Sequence, residues 1–191
     1  MSPEATNEHL LVARARRGDT EAFRALYAHY FPRVYAYVAY RVGRAQDAED
    51  ITADVFMKAV AGLAQFDDRG AGAFGGWLFR IAHNQVALFY RRQRRAGEPV
   101  ALDELPDVPS GDLLPELAVQ RKERFARLRA LILALAPRRR EVVLLRFFGG
   151  LRNQEIAEAL GLDERTVAAH LSRGLDDLRR RAAPEREGEL L

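Results

Sequence analysis

The sequence predicts an all-α chain: two small helical bundles joined by an acidic flexible linker, the second containing a helix-turn-helix. Three observations predict it. Apolar residues recur at helical spacing along most of the 191 residues, and no stretch alternates with period two over a strand length. A proline-rich acidic segment divides the chain. Residues 151–175 carry the spacing of two helices crossing at a tight turn.

From Phe23, the residues Leu26, Tyr27, Tyr30, Val34, Tyr35 and Val38 recur at offsets of +3, +4, +7, +11, +12 and +15, as an amphipathic helix requires. Asp19, after Gly18, is placed to cap it, and Pro32 predicts a kink or break near Phe31. Further helices are expected over about 45–63 and 73–95, then over about 113–135, 138–148, 152–160 and 164–181. The segment 96–118 holds Pro99, Pro106, Pro109 and Pro115 with Gly97 and Gly111, so it sustains neither a helix nor a central strand. The expected units are thus residues 1–95 and 119–182, with 96–118 as linker and 183–191 as a disordered tail.

Composition removes several function classes. The chain has no cysteine, hence no disulfide, thiolate zinc site or cysteine nucleophile. His9, His29, His83 and His170 show no metal-ligand spacing, so no metal or cofactor is expected. No window approaches the roughly 20 apolar residues of a membrane span, and the start lacks a long apolar leader, so no membrane insertion and a cytoplasmic location are expected.

Charge is segregated along the chain. Residues 1–95 hold 14 basic and 10 acidic side chains, residues 96–118 hold none and 6, and residues 119–191 hold 16 and 11. Nearly all the cations are arginine, whose planar fork suits phosphates and guanine edges. They cluster as RRQRR at 91–95 and RRRE at 138–141.

The strongest local motif is LRNQEIAEALGLDERTVAAHLSRGL. Ala157 lets two helices cross closely, Gly161 allows the turn between them, and Val167 seats the second helix on the first. Asp163 can cap that second helix, whose line Val167, Leu171, Leu175 and Leu178 must face inward. Arg165, Ala169, Ser172 and Arg173 then face a major groove. On the expected helix from Phe74, the residues Phe74, Leu78, Ile81, Ala82 and Phe89 form one face, while Arg80, Asn84, Arg91 and Arg95 form a basic stripe able to follow a nucleic-acid backbone. Trp77 beside the apolar face reads as core. Gly70, Gly72, Gly75 and Gly76 suit a flexible loop that approaches a ligand closely, without the ending of a phosphate loop. Asp47, Asp50 and Asp54 share one helix face, and in the absence of a second acidic motif or nucleophile they read as a docking face, not as a catalytic one.

In their order, DAEDITADVFMKAV, FGGWLFRIAHNQVALFYRRQRR, the acidic linker and LAPRRREVVLLRFFGGLRNQEIAEALGLDERTVAAHLSRGLDDLRR resemble a bacterial extracytoplasmic-function sigma factor, from about residue 19 to 181. The resemblance implies a non-catalytic promoter-specificity subunit, monomeric when free. Its first domain would dock on the β′ clamp helices of core RNA polymerase and melt and read the minus-ten element. Its second would read the minus-thirty-five element and touch the β flap, and an anti-sigma factor would control both. By position, Asp47, Asp50, Asp54 and Met57 resemble the polymerase-docking helix, and the segment from Phe66 to Phe74 resembles the loop that captures a flipped base. Arg80, Asn84, Arg91, Arg92 and Arg95 resemble the minus-ten face, and Arg165, Thr166, His170, Ser172 and Arg173 the minus-thirty-five helix. The chain departs from the family pattern at Leu88, where an aspartate is usual, at Ala168 and Ala169, where a basic and a small hydroxyl residue are frequent, and at Ala53, which replaces a common glutamine. The rival reading of the same motif is a free-standing helix-turn-helix regulator binding a palindrome as a dimer.

Overall fold

The computed structural model describes residues 3–96, apart from 43, 69 and 71, and residues 126–182. The linker expected over 96–118, beyond Ala96, and the tail expected over 183–191 lie outside them. The described residues are helical almost throughout, with no strand among them. The order is α1 (Pro3–Ala15), α2 (Thr20–Val42), α3 (Ala45–Gly62) with a 3-10 turn at Leu63–Gln65, α4 (Ala73–Ala96), α5 (126–133), α6 (Pro137–Phe147), α7 (Asn153–Leu160) and α8 (Glu164–Ala182).

Local chemistry sets most boundaries. Gly18, at φ +89°, turns the chain between α1 and α2. The Asp19 carboxylate then accepts from the backbone N–H groups of Glu21 and Ala22, at 3.0 Å each, and caps α2 as the sequence implied. Pro137 stands at the first turn of α6, where a missing N–H costs nothing. Gly161, left-handed at φ +65°, ends α7, and Leu162 N–H donates to the Ala157 carbonyl at 2.9 Å. Asp163 caps α8 by accepting from Thr166 N–H at 2.8 Å.

Two expectations are corrected. No break occurs near Phe31: α2 runs through Pro32 without interruption. Pro32 and Ala28, whose carbonyl loses its partner, are both exposed, so that carbonyl is open to solvent. Gly75 and Gly76 belong to α4 and are buried there, so only Gly70 and Gly72, at φ +111° and +84°, act as loop glycines.

Helices α2, α3 and α4 pack on one another, with α1 against α2. Leu26, Val34, Val38, Val55, Leu78, Phe79 and Val86 fill their interior. Helices α6, α7 and α8 form the second unit around Val142, Leu144, Leu145, Ile156 and Val167. Buried Gly174 lets α8 cross α6, since a Cβ there would meet Val143 at 3.0 Å. The two units then share a seam. α7 lies on α4, α6 touches α2, and the apolar core is continuous across the join.

Burial predicts which aromatic residues hold the fold. Phe79 is fully buried, edge-on to Tyr37 at 5.7 Å, whereas Phe147 is 59% exposed. Phe79→Ala should cost about 3–5 kcal/mol in urea unfolding, and Phe147→Ala should stay within about 0.5 kcal/mol.

Candidate nucleic-acid interface

Three surfaces carry the residues singled out in the sequence. On α8, Arg165, Ser172 and Arg173 are exposed, while Ala169 and His170 are half-buried. Thr166 has a structural task. Its hydroxyl donates to the second oxygen of Asp163 at 2.7 Å while its N–H bonds the first, leaving only hydroxyl lone pairs free to accept. These bonds hold the Asp163 carboxyl below its ordinary range. Val167 is fully buried, and Leu171, Leu175 and Leu178 are half-buried beneath the exposed face. Arg139 of α6 pairs with Asp177 of α8, which ties the two helices together and lowers the Asp177 carboxyl.

On α4, Arg80, Asn84, Arg91, Arg92 and Arg95 are all exposed along the outer side. Arg80, Asn84, Arg91 and Arg95 fall on one stripe by helical spacing, with Arg92 beside it. At the head of this helix Phe66, Phe74 and Trp77 form an aromatic cluster, with ring centroids 4.9 Å apart for Phe66 and Trp77 and 5.6 Å for Phe74 and Trp77. Phe66 and Phe74 are buried and Trp77 is half-buried, packed as core. Asp68 fixes the preceding loop: it pairs with His9 at 2.6 Å and accepts from Gly70 N–H at 3.2 Å.

On α3, Asp50 is exposed, Asp47 and Asp54 are half-buried, and Met57 is 62% exposed. Val60, not singled out in the sequence, is also largely exposed one turn beyond Met57. Its i, i+3 spacing from Met57 was the signal available. The face combines carboxylates with bare apolar side chains. Among the described residues no three His, Cys, Asp or Glu side chains are grouped to hold a metal.

Sequence reasoning missed the residues at the seam. Glu141, 4% exposed, accepts from the Tyr37 hydroxyl, from Arg41, and from His83 Nδ1 at 2.9 Å. Burial pushes the Tyr37 phenol up to about 12, so it stays a donor. Burial, then the charges of Arg41 and Arg138, pull the His83 imidazole down. Arg33 Nε donates to the Gly149 carbonyl at 2.7 Å and its guanidinium lies 4.9 Å from the Tyr30 ring centre. The rings of Tyr40 and Phe148 meet with centroids 3.9 Å apart.

Comparison with known proteins covers both units. Residues 26–96 match the family described as Sigma-70 region 2, and residues 125–178 match Sigma-70, region 4. The ECF RNA polymerase sigma factor BldN of Streptomyces coelicolor is 36% identical over 82% of this chain, which spans 59% of BldN's length. The RNA polymerase sigma factor YlaC of Bacillus subtilis is 32% identical over 86% of this chain and 94% of its own. The ECF RNA polymerase sigma factor ShbA of Streptomyces griseus is 31% identical over 92% and 95%. Among solved structures, CnrH in complex with the cytosolic domain of CnrY superposes with a TM-score of 0.69 and 26% identity, over 91% of this chain and 96% of that one. With two sigma regions in order and relatives matched along nearly their whole length, the chain belongs to the ECF RNA polymerase sigma factors, DNA-binding transcription-initiation proteins that catalyse no reaction.

Proposed function

We propose that this chain binds core RNA polymerase in the cytoplasm, as a monomer when free, and directs it to promoters of one class. In this reading residues 1–95 dock on the β′ clamp helices through Asp47, Asp50, Asp54 and Met57 and read the melted minus-ten element along Arg80, Asn84, Arg91, Arg92 and Arg95. Residues 119–182 read the minus-thirty-five element through Arg165, Thr166, His170, Ser172 and Arg173, and touch the β flap.

The observation that carries this reading is the division of labour on the first unit. One helix, α3, offers carboxylates beside exposed Met57 and Val60, and another, α4, offers a line of exposed arginines. The first suits a basic protein surface with an apolar centre and repels DNA; the second suits phosphate. A free-standing regulator needs only the α8 face. CnrH is described in complex with CnrY's cytosolic domain, which supports extending anti-sigma control to this chain.

Transcription from a genomic fragment library by core polymerase, with and without the protein, tests the reading. Discrete new transcripts that depend on the protein are expected. Failure to bind core polymerase or to create any start site would overturn it in favour of the free-standing regulator.

Asp50→Arg combined with Asp54→Arg should abolish co-purification with core polymerase while leaving the circular dichroism spectrum unchanged, because Asp50 is exposed and Asp54 is only partly buried. Arg165→Ala or Arg173→Ala should each remove about 1–3 kcal/mol of discrimination at one base pair of the minus-thirty-five element, read by competition between promoter variants. Arg91→Ala should instead weaken binding to all promoters alike and reduce the slope of log K against log salt by about 1.

A further inference from the structure

The first helix grips the segment that leads into α4 at two points. Glu8, Leu11, Val12 and Ala15 recur at offsets of 0, +3, +4 and +7, the inward line by which α1 packs on α2. At the start of that line Glu8 accepts from the Tyr30 hydroxyl. Burial, then the Glu8 charge, holds the Tyr30 phenol above its ordinary range, so it remains the donor. The Tyr30 ring meets Phe74 edge-on with centroids 5.4 Å apart, and Phe74 meets Phe66 at 5.8 Å. Both ends of the segment are thus seated in one aromatic cluster, and its Tyr30 is bonded to α1.

His9, the next residue of α1, takes the middle of the segment. Its Nδ1 lies 2.6 Å from the Asp68 carboxylate, and because a carboxylate only accepts, Nδ1 carries a proton in either charge state of the ring. Asp68 also accepts from Gly70 N–H at 3.2 Å. Its side chain is 9% exposed against 54% for His9, so it is turned inward beneath the imidazole. Gly70 and Gly72, at φ +111° and +84°, give the backbone here wide freedom, and a contact that fixes Asp68 removes much of it. The segment stands at the head of α4, whose exposed Arg80, Asn84, Arg91 and Arg95 run along the outer side. A strand held by that stripe arrives at this end of the helix. A base received there binds best to a segment already in shape, since ordering it on contact subtracts from the binding.

We infer that α1 is a brace for promoter reading: His9, acting through Asp68, holds the Phe66 to Phe74 segment in the shape that receives a base of the melted minus-ten element. His9 is a positioning residue and needs no contact with DNA of its own. The inference rests on the assignment of that segment to the minus-ten element. Without the brace the receiving shape is populated a smaller fraction of the time. The preferred base then loses affinity by that fraction, while bases the segment does not read lose nothing.

The test uses the full-length chain with His9→Ala and with His9→Asn, whose amide nitrogen stands in for Nδ1 as the donor. His9 is exposed, so neither change should move the thermal unfolding midpoint appreciably. Amide hydrogen exchange in the free chain should speed up across residues 66–74 in His9→Ala, stay unchanged in the rest of α2 to α4, and return to the parent rate in His9→Asn. Transcription by core polymerase is then measured from promoter variants carrying each base at each minus-ten position. In His9→Ala the preference at one position should fall about two- to fivefold, with the other positions unchanged, and His9→Asn should restore it. Unchanged exchange in His9→Ala would overturn the brace. Faster exchange with an unaltered preference, or with an equal loss at every position, would overturn its part in base reading. A His9→Asn chain that behaves as His9→Ala would assign the effect to lost bulk and overturn the role of the bond. Exchange needs neither polymerase nor DNA, so a parent chain that yields no start site would overturn base reading together with the sigma reading, while the exchange result still decides the brace.

Discussion

The arrangement depends on one buried carboxylate. Glu141 lies in the middle of α6 with almost no access to water, and a charge so placed is costly unless donors surround it. Its own unit supplies none of the donors described above. Tyr37, Arg41 and His83 come from α2 and α4, and Tyr37 stands 104 positions away in the chain. Burial, then the charges of Arg41 and Arg138, disfavours the imidazolium form of His83 beside it. Each unit leaves a requirement that the other fills, which aligns them in one way.

Close approach supplies the second constraint. Glycine inside a helix costs roughly 0.5–1 kcal/mol relative to alanine, and α4 accepts that cost at Gly75 and Gly76. The return is close packing: a Cβ on Gly76 would stand 3.1 Å from the Glu155 carbonyl of α7, and one on Gly75 would stand 3.0 Å from the Tyr30 hydroxyl and 3.1 Å from the Glu155 carboxylate. Leu151 and Ile156, on the facing unit, are fully buried. The same contact explains why an unbroken core runs through two units that the sequence marks as separate.

What could be read from the sequence follows from how far each determinant reaches. The turn of the helix-turn-helix obeys rules satisfied within ten residues: Gly161 takes the left-handed conformation, Asp163 caps α8, and Val167 is buried. The all-α class, the α2 cap at Asp19 and the exposed stripe of α4 are equally local. Pro32 reads as a kink or break because propensity alone counts a lost hydrogen bond, whereas on the exposed side of α2 that carbonyl is open to solvent and the helix continues. Gly75 and Gly76 were misread as loop because glycine's preference is visible and the helix packed against it is not. Glu141 within EVVLLRF gives no hint of burial, since its partners are set by tertiary structure. Thr166 sits between the two cases: it belongs to the α8 surface, yet the local competition for Asp163 uses its hydroxyl proton.

Charge joins close packing at the same place. The first turn of any helix carries free N–H groups and a partial positive charge, so it favours anions. Glu155 and Glu158 of α7 bring carboxylates to the start of α4, where a Cβ on Gly76 would stand 3.1 Å from the Glu158 carboxylate and one on Gly75 3.1 Å from that of Glu155. The glycines that let α7 approach thus also let its carboxylates reach the end of α4 that favours them.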